Sequence, residues 1–183
     1  VPVSGRAVRV AAFVALVVTV HLLAVWAVPR AIMQRVISGV VAEAGDGVLR
    51  PPPVDAGARR VVLPNPDLLY ALCAYDVSAA PLRVRAEPGA PGYWSIALYA
   101  SDTDTWFVLN DRGAAGRPVD LVVARAGADT VALPGGATRV DSPSARGLLL
   151  MRVHLEGGAA QREAAEAARR SLRCEPVRAA AAR

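Results

Sequence analysis

The chain has 183 residues, 54% of them hydrophobic, which is enough for one ordinary buried core and too little for two large domains. Its formal net charge is +5, every basic residue is arginine, and between Arg59 and Gly157 the basic and acidic side chains cancel, so the excess sits in the two ends. A charge-balanced body excludes the clustered basic face of a nucleic-acid groove, and the absence of lysine excludes a Schiff base or a phosphate-loop lysine.

Val10 to Val28 carries no charge and, at about 1.5 Å per helical residue, is long enough for the roughly 30 Å hydrocarbon layer of a bilayer. Residues 1–29 are therefore expected to be a cytoplasmic stub and a transmembrane helix, with the lipid bilayer as the first partner. A cleaved signal peptide is the rival reading, but its apolar core would be unusually long and cleavage after Ala27 would leave Pro29 close behind. Arg6 and Arg9 precede the span while Arg30 and Arg35 follow it, so charge alone orients it weakly. His21 lies within the span without a second polar partner, and Ala11 with Ala15 makes a small-residue pair that hints at helix association. The expected placement is the inner membrane, single-pass, with the C-terminal domain periplasmic.

After Pro29, the residues Ile32, Met33, Val36, Ile37, Val40 and Val41 recur at three- and four-residue steps, so 30–44 reads as an amphipathic helix that either lies on the membrane or packs on the domain. Gly45-Asp-Gly47 and Pro51-Pro-Pro53 mark 45–58 as a linker. The body, 59–157, reads as short strands at Arg60–Leu63, Leu69–Val77, Leu82–Ala86, Tyr93–Ala100, Trp106–Asn110, Val119–Ala124, Thr138–Val140 and Arg146–Leu155. Proline, glycine and aspartate turns separate them. Tyr93 to Asn110 is the central hairpin: Trp94, Ile96 and Leu98 fall on one face, Tyr93, Ser95, Ala97 and Tyr99 on the other, and Asp102-Thr103-Asp104 forms the tip. Strands without interleaved helices predict a mainly β fold, an antiparallel β-sandwich or jelly roll. The segment 158–183 is a C-terminal helix and tail, the helix spanning Ala159 to Arg173.

Pro64-Asn-Pro-Asp-Leu-Leu-Tyr70, Tyr75-Asp-Val-Ser78, Tyr93-Trp-Ser95 with Leu98, Asp102, Thr103 and Asp104, and Pro143 with Arg146 follow in an order that resembles the bacterial domain of unknown function family 1254. The resemblance covers about Arg59 to Gly157. It implies a β-sandwich or jelly roll in its short, membrane-anchored form. It also implies a companion protein carrying the domain of unknown function 1214, and no shared activity.

Catalytic chemistry is thinly supplied. The histidines are His21, in the span, and His154, and the cysteines are Cys73 and Cys174, so no zinc set or two-histidine metal site can be assembled, and no cofactor motif is present. His154 lacks a Gly-x-Ser-x-Gly elbow to serve. The candidate ligand-binding set is Asn65, Asp67, Tyr70, Asp76, Tyr93, Asp102 and Asp104. These residue types also make turns, and that reading is favoured over ligand contact and far over catalysis. Two functions stay open: a membrane-tethered binding module, and an envelope hydrolase using carboxylates and tyrosine near Asn65, Asp67 and Asp102. The second requires Asp67, Tyr70 and Asp102 to converge. In an oxidising compartment Cys73 and Cys174 are expected to be bridged, two buried free thiols being the alternative.

Overall fold

The computed structural model describes residues 4–44, 47–55, 57, 64–89, 92–128, 133, 135–155 and 157–177. A strand expected at Arg60–Leu63, part of the 45–58 linker and the tail beyond 177 lie outside them.

Helix α1 runs unbroken from Gly5 to Glu43, with the Ser4 hydroxyl accepting a bond from the Ala7 amide at its start. Sequence reading divided this stretch at Pro29; the structure does not. Proline removes one amide from the helical ladder without forcing a break when the surrounding turns supply compensation. Arg30, the next residue, folds back so that its Nη1 donates to the Trp26 carbonyl at 2.7 Å. Through Val28 the apolar side chains are exposed, and α1 is long and apolar enough to cross a membrane. Past Pro29 the helix docks on the body. Met33, Ile37 and Val40, spaced to share one face, are buried against Leu148, Leu72, Ala74 and Tyr99. Of the two placements open for 30–44, packing on the domain is the one observed.

Among the described residues eight strands follow: β1 (Leu68–Asp76), β2 (Leu82–Ala86), β3 (Trp94–Ala100), β4 (Thr105–Asn110), β5 (Val119–Arg125), β6 (Thr138–Ser142), β7 (Arg146–His154) and β8 (Arg173–Pro176). A one-turn helix α2 (Asp111–Ala114) separates β4 from β5, and α3 (Ala159–Ser171) separates β7 from β8. The strands form two four-stranded sheets, ordered β1-β7-β3-β4 and β6-β5-β2-β8.

In the first sheet every pair is antiparallel, as expected. The second is mixed, because β6 runs parallel to β5 with Thr138 opposite Leu121. The dozen or so residues after Arg125 return the chain to the end where β5 began, about the length a parallel re-entry needs. The all-antiparallel expectation is thus corrected for that pair.

Alternation decides which residues go inside. Leu69, Ala71, Cys73 and Tyr75 of β1, Trp94, Ile96 and Leu98 of β3, and Leu149, Met151 and Val153 of β7 share one buried cluster with Val84, Leu121 and Val123 of the second sheet. Helix α3 adds Ala165, Ala168 and Leu172 to that cluster.

The body is larger than 59–157. Leu49 makes paired backbone bonds with Leu72, Val48 is buried, and Arg50 donates to the Leu172 carbonyl, so part of the expected linker is built into the domain. Arg173, read as the last helical residue, and Cys174 to Pro176, read as the stop that follows it, instead form β8 alongside β2, with Cys174 opposite Val84. A disulfide joins Cys73 to Cys174, whose Cα atoms are 6.6 Å apart, and ties β8 to β1 of the other sheet. Arg169, 7% exposed, fastens α3 by donating to the Pro51 carbonyl and to Glu166. Burial raises the Glu166 pKa, but its bonds to Arg169 and Arg170 outweigh that and hold it below the ordinary range.

Candidate functional site

The candidate residues separate into two groups at opposite ends of β1. At its start, Asn65 Oδ1 accepts the Asp67 amide at 2.8 Å and the Tyr70 hydroxyl accepts the Asn65 amide at 3.0 Å, an Asx-type turn closed by a tyrosine. Tyr93 lies at this same end, 42% exposed, with its carbonyl accepting the His154 amide. At the far end, Asp76 Oδ1 accepts both the amide (2.9 Å) and the hydroxyl (2.6 Å) of Ser78. Those two bonds, the hydroxyl's being the stronger influence, hold the Asp76 carboxyl below the usual carboxylate range.

Asp102 and Asp104 belong to the tip of the β3–β4 hairpin. The Ala100 amide donates to the Asp104 carbonyl at 2.8 Å, and Thr103 sits in the left-handed region at φ 79°. Asp102 Oδ2 accepts from Arg30 Nη2 of α1 at 3.3 Å.

Asp67 precedes the nine-residue β1 and Asp76 ends it, so they stand about 30 Å apart, and Asp102 lies on the Asp76 end. Asp67, Tyr70 and Asp102 therefore do not converge. No proton can pass directly between the two groups, and the geometry that a carboxylate–tyrosine hydrolase requires is missing from this set.

Two arrangements were not foreseen from the residues. The first is Arg30, a single side chain that bonds the Trp26 carbonyl, lies 4.8 Å over the Trp26 ring and reaches Asp102. Trp and Arg at the end of an apolar span are interfacial residue types, so the hairpin tip is fastened at the last turn of the span. A signal existed in the sequence, Arg30 directly after the span, but its partner lies 72 residues away.

The second is a buried polar cluster around Tyr75. Its hydroxyl accepts from Trp106 Nε1 (3.2 Å), donates to the Tyr99 carbonyl (3.0 Å) and lies 3.2 Å from Ser142 Oγ, which donates to the Ser144 carbonyl. Burial pushes the Tyr75 phenol up, against the opposing effect of its Ser142 and Trp106 bonds. Gly147 is required beside it: a Cβ there would collide with the Tyr75 hydroxyl and the Tyr99 carbonyl. This cluster fixes the end of the first sheet nearest the hairpin tip.

The family described as protein of unknown function DUF1254 matches residues 48–176, from the buried Val48 to the last residue of β8. The chain belongs to this family. Among solved structures, the DUF1254 chain is similar to the VPA0106 protein from Vibrio parahaemolyticus, at 17% identity and TM-score 0.54, over 61% of this chain and 28% of that one. It is also similar to an uncharacterised protein from Burkholderia cenocepacia, at 16% identity and TM-score 0.44, over 70% of this chain and 34% of that one. The DUF1254 chain thus spans about a third or less of the length of these proteins, and the first likeness shows the fold alone. No curated protein matches it.

Proposed function

We propose that this DUF1254 chain is a single-pass inner-membrane protein whose β domain faces the periplasm and binds a partner protein rather than turning over a substrate. The observation that carries the reading is the free edge of the first sheet. Among the described residues β4 pairs with β3 alone, and it presents Val108, 54% exposed, beside half-buried Trp106 and Phe107. Helix α1 covers the β1–β7 side of the same outer face, so the β3–β4 side is what remains for another chain. An apolar, unpaired strand is a template for pairing, and stable monomers blunt such edges.

The Cys73–Cys174 bridge supports an oxidising compartment. The Arg30–Asp102 contact supports a domain seated with its hairpin tip toward the headgroups, which turns Asn65, Tyr93 and His154 away from the bilayer. In the same reading the two sheets, which share one core, are the layers of a β-sandwich, with the parallel β5–β6 pair departing from an all-antiparallel jelly roll. The partner proposed is a companion protein carrying the domain of unknown function 1214.

A photo-crosslinking residue at position 108 of the full chain, co-expressed with that companion in native membranes, tests the partner. A crosslink lost when the exposed β4 residue Thr105 is changed to arginine (Thr105→Arg) in folded protein supports the reading; crosslinking unaffected by that charge, or none, counts against it. An alkaline phosphatase fused after Arg183 should be active, and an inactive fusion would remove the periplasmic assignment. Turnover on an ester, amide or glycoside panel, abolished by Asp67→Asn or Asp102→Asn in folded protein, would return the hydrolase.

A further inference from the structure

The strand register lines up four polar side chains across the outer face of the first sheet. Tyr70 of β1 stands opposite Arg152 of β7, Arg152 opposite Ser95 of β3, and Ser95 opposite Asn110 of β4. Directly opposed residues share a face, and this row lies on the side away from the core, because Ile96 and Met151, their neighbours along the strands, point into it. The next row, Leu72, Leu150, Ala97 and Val108, is apolar.

Within the polar row the outer members are occupied. The Tyr70 hydroxyl holds the Asn65 amide, and Asn110 Oδ1 accepts the Gly113 amide at 2.9 Å. The two central members are not. Ser95 is wholly buried, its Oγ has no hydrogen-bond partner, and Arg152 Nε beside it is also buried and unpartnered. Among the described residues Arg152 makes no ion pair. Sequestering a guanidinium N–H and a hydroxyl side by side without an acceptor is unfavourable, and native structures keep few such groups. Neither group relieves the other here. A single acceptor with two oxygens would relieve both, since the side-on edge of a guanidinium, Nε with one Nη, matches a carboxylate or phosphate.

We propose that Arg152 and Ser95 form a binding site for a small oxyanion, a carboxylate or a phosphate, on the outer face of the first sheet. Arg152 supplies the charge and the two-pronged contact, Ser95 donates its hydroxyl to the same group, and the Asn110 amide nitrogen is the nearest further donor along the row. The site stands apart from the hairpin tip, and Tyr70 of the Asn65–Tyr70 turn is its neighbour in the row. It does not depend on the partner-binding reading.

The test uses the full chain in an uncharged, phosphate-free detergent, following the arginine Nε–H resonances while inorganic phosphate or acetate is added at constant ionic strength held with chloride. The Arg152 resonance is identified by its loss in Arg152→Lys. It should shift saturably with one or both probes and not with chloride; the stronger of the two names the oxyanion class. Ser95→Ala should weaken the response about tenfold, as expected for losing a hydrogen bond to a charged group. Arg152→Lys should also weaken binding, read by the anion-dependent rise in melting temperature, because it keeps the charge and loses the fork. No shift at Arg152, an equal shift with chloride, or an unchanged response in Ser95→Ala would overturn the site. If Arg152→Lys fails to fold, the resonance is identified by specific labelling and Ser95→Ala, a smaller change on the same face, decides the matter.

Discussion

Replacing Tyr75 by Phe deletes one oxygen from a residue that is 3% exposed, and the structure says which groups notice. The Trp106 indole N–H loses its acceptor, the Tyr99 carbonyl loses a donor, and Ser142 Oγ keeps only its bond to the Ser144 carbonyl. Trp106 is half-buried and recovers part of its loss from water, whereas the position of the deleted oxygen is fully buried and admits none. A buried group left short of a partner costs about 1–3 kcal/mol, so a loss of about 2 kcal/mol is expected. Urea unfolding of the full chain in detergent should show a lower midpoint with an unchanged slope. The Tyr75→Phe and Ser142→Ala changes should couple by about 1 kcal/mol in a double-mutant cycle.

The pH dependence gives a second readout. Because burial raises the folded Tyr75 pKa above its ordinary value, the folded state holds its proton more tightly than the unfolded chain. That contribution is fully present below about pH 10 and is lost as pH rises through the raised value. The phenylalanine variant has no such group, so the stability gap between the two proteins should narrow above about pH 10. A variant as stable as the parent at pH 7, or a gap that widens with pH, would refute the reasoning.

Reducing the Cys73–Cys174 bridge, which closes a separation of 101 residues, should cost about 3–4 kcal/mol, and a melting temperature unmoved by reductant would contradict this. Ile37→Ala should cost about 2 kcal/mol or more and speed amide exchange at Leu72 and Leu148, since Ile37 packs in their cluster; unchanged exchange there would detach α1 from the domain. Thr103→Asn should stabilise by about 0.5–1 kcal/mol, as asparagine tolerates the left-handed backbone better than a β-branched residue, and a loss of stability would show that the threonine has another duty. Asn65→Ala should cost about 1 kcal/mol by freeing the Asp67 amide, whereas Asp67→Asn should stay within about 0.5 kcal/mol; the reverse order would restore a role to the Asp67 carboxylate.

Strand position was legible because period-two alternation is a local property. The expected Leu82–Ala86 strand coincides with β2, and Leu69–Val77 and Arg146–Leu155 fall within a residue of β1 and β7. Beyond the Tyr93–Asn110 hairpin, where a short polar turn joins the two strands, pairing was not legible, because a strand's pattern says which face is buried and nothing of which neighbour it meets. The parallel β5–β6 contact and the recruitment of Cys174 to the edge of β2 both depend on distant chain. Pro29 misled for a related reason: its effect on a helix depends on the surrounding turns and packing, and here α1 runs through it. The acidic candidates were legible as turn formers, and Asn65 and Asp76 act as such. Arg152 was invisible as anything but one charge in a balanced body, since its want of a partner exists only once Ser95 stands beside it.

The β1–β7 ladder has a consequence for biogenesis. Leu68 to Asp76 pair residue for residue with His154 back to Arg146, so the first of the described strands acquires its partner β7 only after β2 to β6 have been made. A chain delivered N-terminus first must carry Leu69, Ala71 and Cys73 without a ladder in the meantime, and non-local pairing of this kind is slow to close. Among the described residues, α1 and Leu49 are earlier segments that meet β1 through Leu72 and Ala74 on its other face. Helix α1 therefore offers an early surface on which the strand can settle, while its core-facing side waits. Chains stalled after residue 145 should leave Cys73 open to alkylation, and chains extended past His154 should shield it. Shielding before Arg146 is made would mean that α1 alone shelters the strand.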